Sequence, residues 1–440
     1  LWCAINTIGT NGANNIGNVT PNVIGSTTAN AQIVTSSTVS GGLLVGINNS
    51  ASGIQNISNN QIGGLTANSS GITISSSIVG IQTTSGTATT ISGNTIGSLT
   101  QASSLINAAS TSGTGGQVTG ILCSAFNSAL PGNQITNNTV MNLTNQYAGI
   151  ATTGFTRGIV STSGINTITG NTISILSNLA PQTGTLTNAS VIGISQQSAS
   201  SGANQTVSQN NISNLANLSL TANVQVVGIN ATGTTLNLTL VHRNSIIGIG
   251  SASAGTAVMH GIQIYGGIVR TYNNFINIGV DATGASLTLS HEFNGITKNT
   301  TNRATIAFNT VNIGGTGVGA GAANSNAFRR LVNPTVTPAD SVFSNIFNNV
   351  RSNGASTGTH YAININNTTN FLANGNNYFG NGTGYVLGII NVTPAAGLTP
   401  WQTASAQDAN SFAVNPNFIS TTNLHINNVT QSALESRAVA

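Results

Sequence analysis

The nine-residue stretch ISGNTIGSL, Ile91 to Leu99, decides how this chain is read, because it keeps returning. It recurs as ISNNQIGGL (Ile57 to Leu65), ITNNTVMNL (Ile135 to Leu143), ITGNTISIL (Ile168 to Leu176), VSQNNISNL (Val207 to Leu215) and VHRNSIIGI (Val241 to Ile249). Looser copies are RTYNNFINI (Arg270 to Ile278), IAFNTVNIG (Ile306 to Gly314) and VFSNIFNNV (Val342 to Val350), with a decayed one near Asn377 to Phe379. A Gly-Ile pair precedes the unit at Gly46-Ile47, Gly80-Ile81, Gly120-Ile121, Gly158-Ile159, Gly193-Ile194, Gly228-Ile229, Gly261-Ile262 and Gly295-Ile296. The two series interleave with a common period of roughly 35 residues, the range of stacked or propeller repeats.

Spacing inside the unit selects among these. Apolar residues hold its first, sixth and ninth positions, and both gaps are odd, so a flat strand would send them to opposite faces. The chain must bend between them. The fourth position supplies the bend: it holds Asn60, Asn94, Asn138, Asn171, Asn210, Asn244, Asn273, Asn309 and Asn345, and asparagine is the non-glycine residue readiest to turn left-handed. Gly63 and Gly97 offer a second corner. Short strands that turn at fixed places with the apolar side inward describe a coil wound round its own core.

In a stack of such coils each position becomes a column. Ile62, Ile96, Val140, Ile173, Ile212, Ile246, Phe275 and Val311 form one buried column, and the isoleucines of the Gly-Ile pairs another. The asparagines form a third, amide on amide, as in stacked in-register chains. Strands of successive coils lie about 4.8 Å apart, which makes ten or eleven coils a rod on the order of 50 Å long. The fold class is all-β, a parallel β-helix. Residues 1–395 are expected to form the helix and 396–440 a capping segment with a short helix and terminal strands. Thr399-Pro400-Trp401 has the form of a helix start, with threonine as N-cap and proline at the first helical position.

The Gly-Ile pair followed by N-x-[IV]-x-x-[LI] resembles the parallel β-helix repeat of the pectate-lyase-like superfold, which implies a right-handed coil. The tail, with NNYFGNGTGYVLGIINVTP, LTPWQTASAQDANS and NPNFISTTNLHINNVTQSALESRAVA, resembles the closing segments of very large secreted surface proteins of Bacteroidota. Those tails carry Asp-Pro-x-Phe and Asp-Leu-His, where this chain has Asn415-Pro416-Asn417-Phe418 and Asn423-Leu424-His425. The resemblance also implies that Asp340-Ser341-Val342 matches a short O-glycosylation signal.

Composition narrows the function. Charged residues make up 3% of the chain, against about a quarter in ordinary domains. The first is Arg157 and the next Arg243, so the N-terminal half has almost no field with which to steer a partner. Nine scattered basic residues make no nucleic-acid groove. No run is apolar enough to span a membrane. Two cysteines, Cys3 and Cys123, are too few for a disulfide framework and lie several coils apart. The chain opens inside a coil, so an export signal and anchor are expected outside this segment.

Catalysis has little to draw on. Glycoside hydrolysis usually needs two carboxylates within about 10 Å, and the acids are Asp281, Glu292, Asp340, Asp408 and Glu435. Asp281 and Glu292, with His291 beside them, fall in one coil's connection and are the candidate pair. His242, His260, His360 and His425 show no metal-ligand spacing, and no cofactor or metal is expected. Arg329-Arg330 reads as a solvated turn. An outward ladder of Thr95, Thr139, Thr172 and Thr310 is interrupted by Asn211, Ser245 and Asn274. The sequence thus points to a structural or adhesive rod segment of a large extracellular or filament-forming surface protein, without catalysis. Its expected partners are copies of itself, joined end to end or laterally, or surface glycans. The alternative is a carbohydrate-active β-helix such as a lyase, hydrolase or depolymerase.

Overall fold

The computed structural model describes residues 1–10, 12–30, 32–37, 42–69, 76–108, 116–147, 149, 154–200, 202–335, 337–427 and 434. Among them the strands form three sheets of 13, 11 and 14 strands, each strand pairing with its counterpart one coil away. Nearly all pairing is parallel and in register, as where Ile57, Ile91, Ile135 and Ile168 face one another in the second sheet. This is a parallel β-helix. The main core cluster runs from Ile16 to Trp401, with a small separate one of Ala189, Ile192 and Val227.

The Gly-Ile pair belongs to the first sheet. There Ile47, Ile81, Ile121, Ile159, Ile194, Ile229, Ile262 and Ile296 form one unbroken column, continued by Phe328 and Ile363. The glycine is explained by crowding. A Cβ on Gly158 would stand 2.5 Å from the carbonyl oxygen of Gly193 and 2.7 Å from Cγ2 of Ile173. The strand can bend inward there only because nothing projects.

The corners differ from the sequence reading. The left-handed residue sits at the third position of the unit, one before the asparagine column: Asn59, Gly93, Asn137, Gly170, Gln209, Arg243, Asn273, Phe308, Ser344 and Gly375 have φ between 50° and 68°. The second corner uses Gly97, but Gly64 in place of Gly63, and later Asn142, Ile175, Asn214 and Gly248. Two positions shift, one through an insertion and one because its copy starts at Thr271 and not at Arg270. Leu99 is 62% exposed, and Leu105 takes its rung between Leu65 and Leu143. Ile276 and not Phe275 continues the column from Ile246 to Val311.

The C-terminal end is closed. Thr393–Ala395 turns back antiparallel to Tyr385–Ile390, and a helix spans Leu398–Ser405. Its N-cap is Gly397, in extended conformation, so Thr399 and Pro400 lie inside the first turn and do not open it. Trp401 is fully buried and completes a run of rings with Phe328, Phe347 and Tyr378, centroids 5.6, 5.9 and 6.2 Å apart. The chain then crosses the outside of the third sheet. The Asn377 side-chain amide donates to the Val414 carbonyl and accepts from the Val414 N–H, and Asn277 Nδ2 donates to the Thr421 carbonyl at 2.6 Å.

Candidate functional site

The asparagine column is the most regular polar feature. Each Nδ2 donates to Oδ1 of the next asparagine at 2.8 to 3.0 Å, through Asn22, Asn60, Asn94, Asn138, Asn171, Asn210, Asn244, Asn274, Asn309, Asn345 and Asn376. The second amide hydrogen goes the other way, as from Asn138 to the Ile91 carbonyl and from Asn171 to the Ile135 carbonyl, both at 2.9 Å. Each Oδ1 also takes a backbone N–H from the coil before, so donors and acceptor of a buried amide are satisfied together. Asn273 is a correction. It is exposed at the left-handed corner, and Asn274 makes the rung.

The column ends on a carboxylate. Asn376 Nδ2 donates to Asp408 Oδ1 at 3.1 Å, and the same carboxylate accepts from Trp401 Nε1 at 2.8 Å, Ser411 Oγ at 2.5 Å and the Tyr378 hydroxyl at 3.1 Å. Burial, with the charge of Asp408, drives the Tyr378 hydroxyl well above its ordinary pKa. A carboxylate accepts only, which suits the end of a run whose last amide has a hydrogen left to give.

Arg330 is no solvated turn. It ends the strand Ser325–Arg330 and is 1% exposed. Its Nε donates to Asp340 Oδ2 at 2.7 Å, and its other nitrogens donate to the carbonyls of Asn367, Thr369 and Asn370. Lys298 Nζ approaches the same oxygen at 3.2 Å, and Ala304 N–H donates to Oδ1 at 2.7 Å. Burial pulls Lys298 down to about 8, against the opposing pull of Asp340. The cluster ties adjacent coils from inside, and Asp340, which the resemblance would make part of a glycosylation signal, is itself fully buried.

Asp281 and Glu292 are engaged separately. Asp281 closes its own turn, accepting from the Thr283 hydroxyl at 2.7 Å and from the backbone N–H groups of Thr283 and Ala285 at 2.8 and 2.9 Å; the hydroxyl contributes most to holding its carboxyl below the usual range. Glu292 pairs with Arg329 and accepts from Asn294 Nδ2 at 2.7 Å. Asp281 faces a cleft of about 270 Å³ beside Ile175 and Leu287, whereas Glu292 faces another of about 620 Å³ with Ser253, His291 and Asn324. Glu435 lies outside the described residues.

Four of the five histidines are packed into other work, and His291 lines the cleft that Glu292 faces. His260 lies between Gln225 at 2.9 Å and Thr297 at 2.8 Å, and His360 between Ser325 at 2.9 Å and Asn353 at 2.8 Å. His242 stacks on Tyr272, and His425 packs against Phe275. Among the described residues no group of three His, Cys, Asp or Glu side chains is placed to hold a metal. Cys123 is buried and Cys3 partly so, both as free thiols. No helix is long and apolar enough to cross a membrane.

Sequence reasoning missed Asn22, Asn274, Asn376, Asp408 and the cluster around Asp340. It also missed a second, outer amide run, Asn348 to Asn312 at 2.6 Å and Asn312 to Asn277 at 2.8 Å, which the tail covers at Thr421. The NN doublet at Asn273-Asn274 and the lone polar Asn22 before Val23 were the signals available for two of these.

Fold and site together define a parallel β-helix solenoid held by an internal amide ladder. No family model matches the chain, and neither a curated protein nor a solved structure does.

Proposed function

We propose that this chain is a structural and adhesive rod segment of a large extracellular surface or filament-forming protein of the kind found in Bacteroidota, built on a right-handed pectate-lyase-like coil and without catalysis. The observation that carries the reading is the continuous ladder from Asn22 to Asp408, which commits the buried polar groups of coil after coil to holding the rod together. An exterior of Ser, Thr, Asn and Gln with 3% charged residues supports association with glycans or with further copies, since surfaces near zero charge associate readily. The closed C-terminal end supports lateral contacts over addition at that end.

Electron microscopy of the chain over a range of salt and concentration tests it. Rods that associate side by side are expected; dispersed monomers under every condition would remove the self-association. Activity is tested separately by incubation with polysaccharides. No release of reducing ends is expected, and turnover abolished by Asp281→Ala or Glu292→Ala would replace the rod reading with an enzymatic one.

A further inference from the structure

The basic side chains among the described residues divide into two groups. Arg329 pairs with Glu292, and Lys298 and Arg330 share Asp340. Arg157 and Arg351 are spent on carbonyls and rings: Arg157 donates to Thr187 and lies over Phe155, and Arg351 donates to Leu289 and lies over Phe293. Arg243, Arg270 and Arg303 have no hydrogen-bond or ion-pair partner among the described residues. They come from three successive coils and belong to one sheet, the second: Arg270 lies in Ile268–Tyr272, Arg243 follows Leu238–His242, and Arg303 precedes Ala304–Ala307.

Nothing acidic among the described residues pairs with them. The second sheet's strands hold one acid, Asp340, which is buried against Lys298 and Arg330. Each is offset along the strand direction from the next, Arg270 lying level with Leu240 and Thr305, so the three charges are spread over the face. Backbone strain marks the same face. Arg243 and Phe308 occupy the left-handed corner at φ 55°, where Gly93 and Gly170 sit without steric cost, and for a bulky residue that conformation is an outlier typical of functional positions. Phe308 nevertheless points outward, 57% exposed, and Leu372 on the same face is 47% exposed.

We propose that this face binds an acidic polysaccharide through its carboxylates, with the arginines as bidentate partners and Phe308 as an apolar contact for sugar rings. The proposal rests on the adhesive reading above and names its ligand. Arginine's planar fork matches a carboxylate. Three cations supply little of the phosphate neutralisation on which nucleic-acid affinity rests, and the rings of His242 and Tyr272 already stack on each other at 4.6 Å.

Biolayer interferometry of the full chain on immobilised carboxymethylcellulose tests this, with hydroxyethylcellulose as the neutral polymer and oligo(dT) as the nucleic acid. Binding is expected to carboxymethylcellulose only. Arg243→Asn with Arg270→Ser should weaken it about tenfold while leaving the melting temperature unchanged or higher, because asparagine suits the corner. Phe308→Ser should weaken it severalfold. No binding to carboxymethylcellulose, equal binding by the arginine variant, or equal binding to the neutral polymer overturns the proposal. Oligo(dT) held as tightly through the same arginines overturns it in favour of nucleic acid. Failure of all polymer binding leaves the rod, tested by microscopy, untouched.

Discussion

Asn171 illustrates how much one amide carries in the ladder. Its Oδ1 accepts from Asn138 Nδ2 and N–H, and its own Nδ2 serves Asn210 and the Ile135 carbonyl. Asn171→Ala orphans buried groups on both neighbours and is expected to cost on the order of 3 kcal/mol, read as a lower denaturant midpoint. The doublet at 273 and 274 separates corner from rung: Asn273→Gly should be neutral or stabilising, and Asn274→Ala as costly as Asn171→Ala. Equal effects at the two sites would contradict the assignment. The ladder was legible because the fourth position is nearly invariant from copy to copy. The left-handed corner was not, since its position holds Asn, Gly, Gln, Arg, Phe and Ser, and two adjacent asparagines gave composition no means of telling a turn from a rung. At His260 burial, then Arg329, pulls the imidazole down to about 3; at His360 burial, then Arg351, pulls it down to about 4. Both titrate near ~6.5 when unfolded. Between those values the unfolded chain binds more protons, so stability is present above pH ~6.5 and falls on acidification, by about 1.4 kcal/mol per pH unit for each imidazole. Denaturant titrations at stepped pH from ~7 to ~5 should show this slope, and His260→Gln with His360→Gln should reduce it.

At the scale of the strand, the Gly-Ile pair was read as a repeat marker, and the structure supplies its cause. Side chains of the third sheet, such as Ile173, fill the space where a Cβ would stand. Gly158→Ala is therefore expected to cost about 2 to 3 kcal/mol by overpacking, measured against Gly42→Ala, whose Cβ would meet nothing within 4 Å. A loss no larger than that control would mean the coil has room to relax. The cluster joining the strands Glu292–Lys298, Ser325–Arg330 and Asp340–Phe343 makes a different demand. Asp340→Ala leaves two buried cations without their anion, for an expected loss of about 3 to 5 kcal/mol. Joint replacement of Lys298, Arg330 and Asp340 by Met, Met and Leu should recover most of it, since the pair's worth lies chiefly in not being broken. This cluster could not be read from the sequence. Lys298, Arg330 and Asp340 meet only once the connection lengths between their coils are known, and those connections are the least regular part of the repeat.

Over the whole molecule, contacts run between neighbouring coils, and this makes the rod close to one-dimensional in its energetics. Most columns followed from the repeat, because each copy repeats the same local rule, but not those at Leu99, Asn273 and Phe275, where a copy is stretched or displaced; how the rod ends did not follow either, because the end departs from that rule. Trp401 and Asp408 meet the last rung, and Gly388 leaves the room that the indole needs, a Cβ there standing 2.5 Å from Trp401 Cε3. Replacing Trp401 and Asp408 together by alanine should therefore fray the rod from this end. Hydrogen exchange followed by mass spectrometry is expected to show protection lost most in Phe371–Asn374 and Asn377–Phe379, less in Asp340–Phe343, and not at all in Ala88–Ser92. Such grading is what nearest-neighbour coupling produces, because each intact coil shields the next. A uniform loss of protection along the chain would instead show a single cooperative unit, in which the cap stabilises every coil alike and the ladder transmits its removal over the full length of the rod.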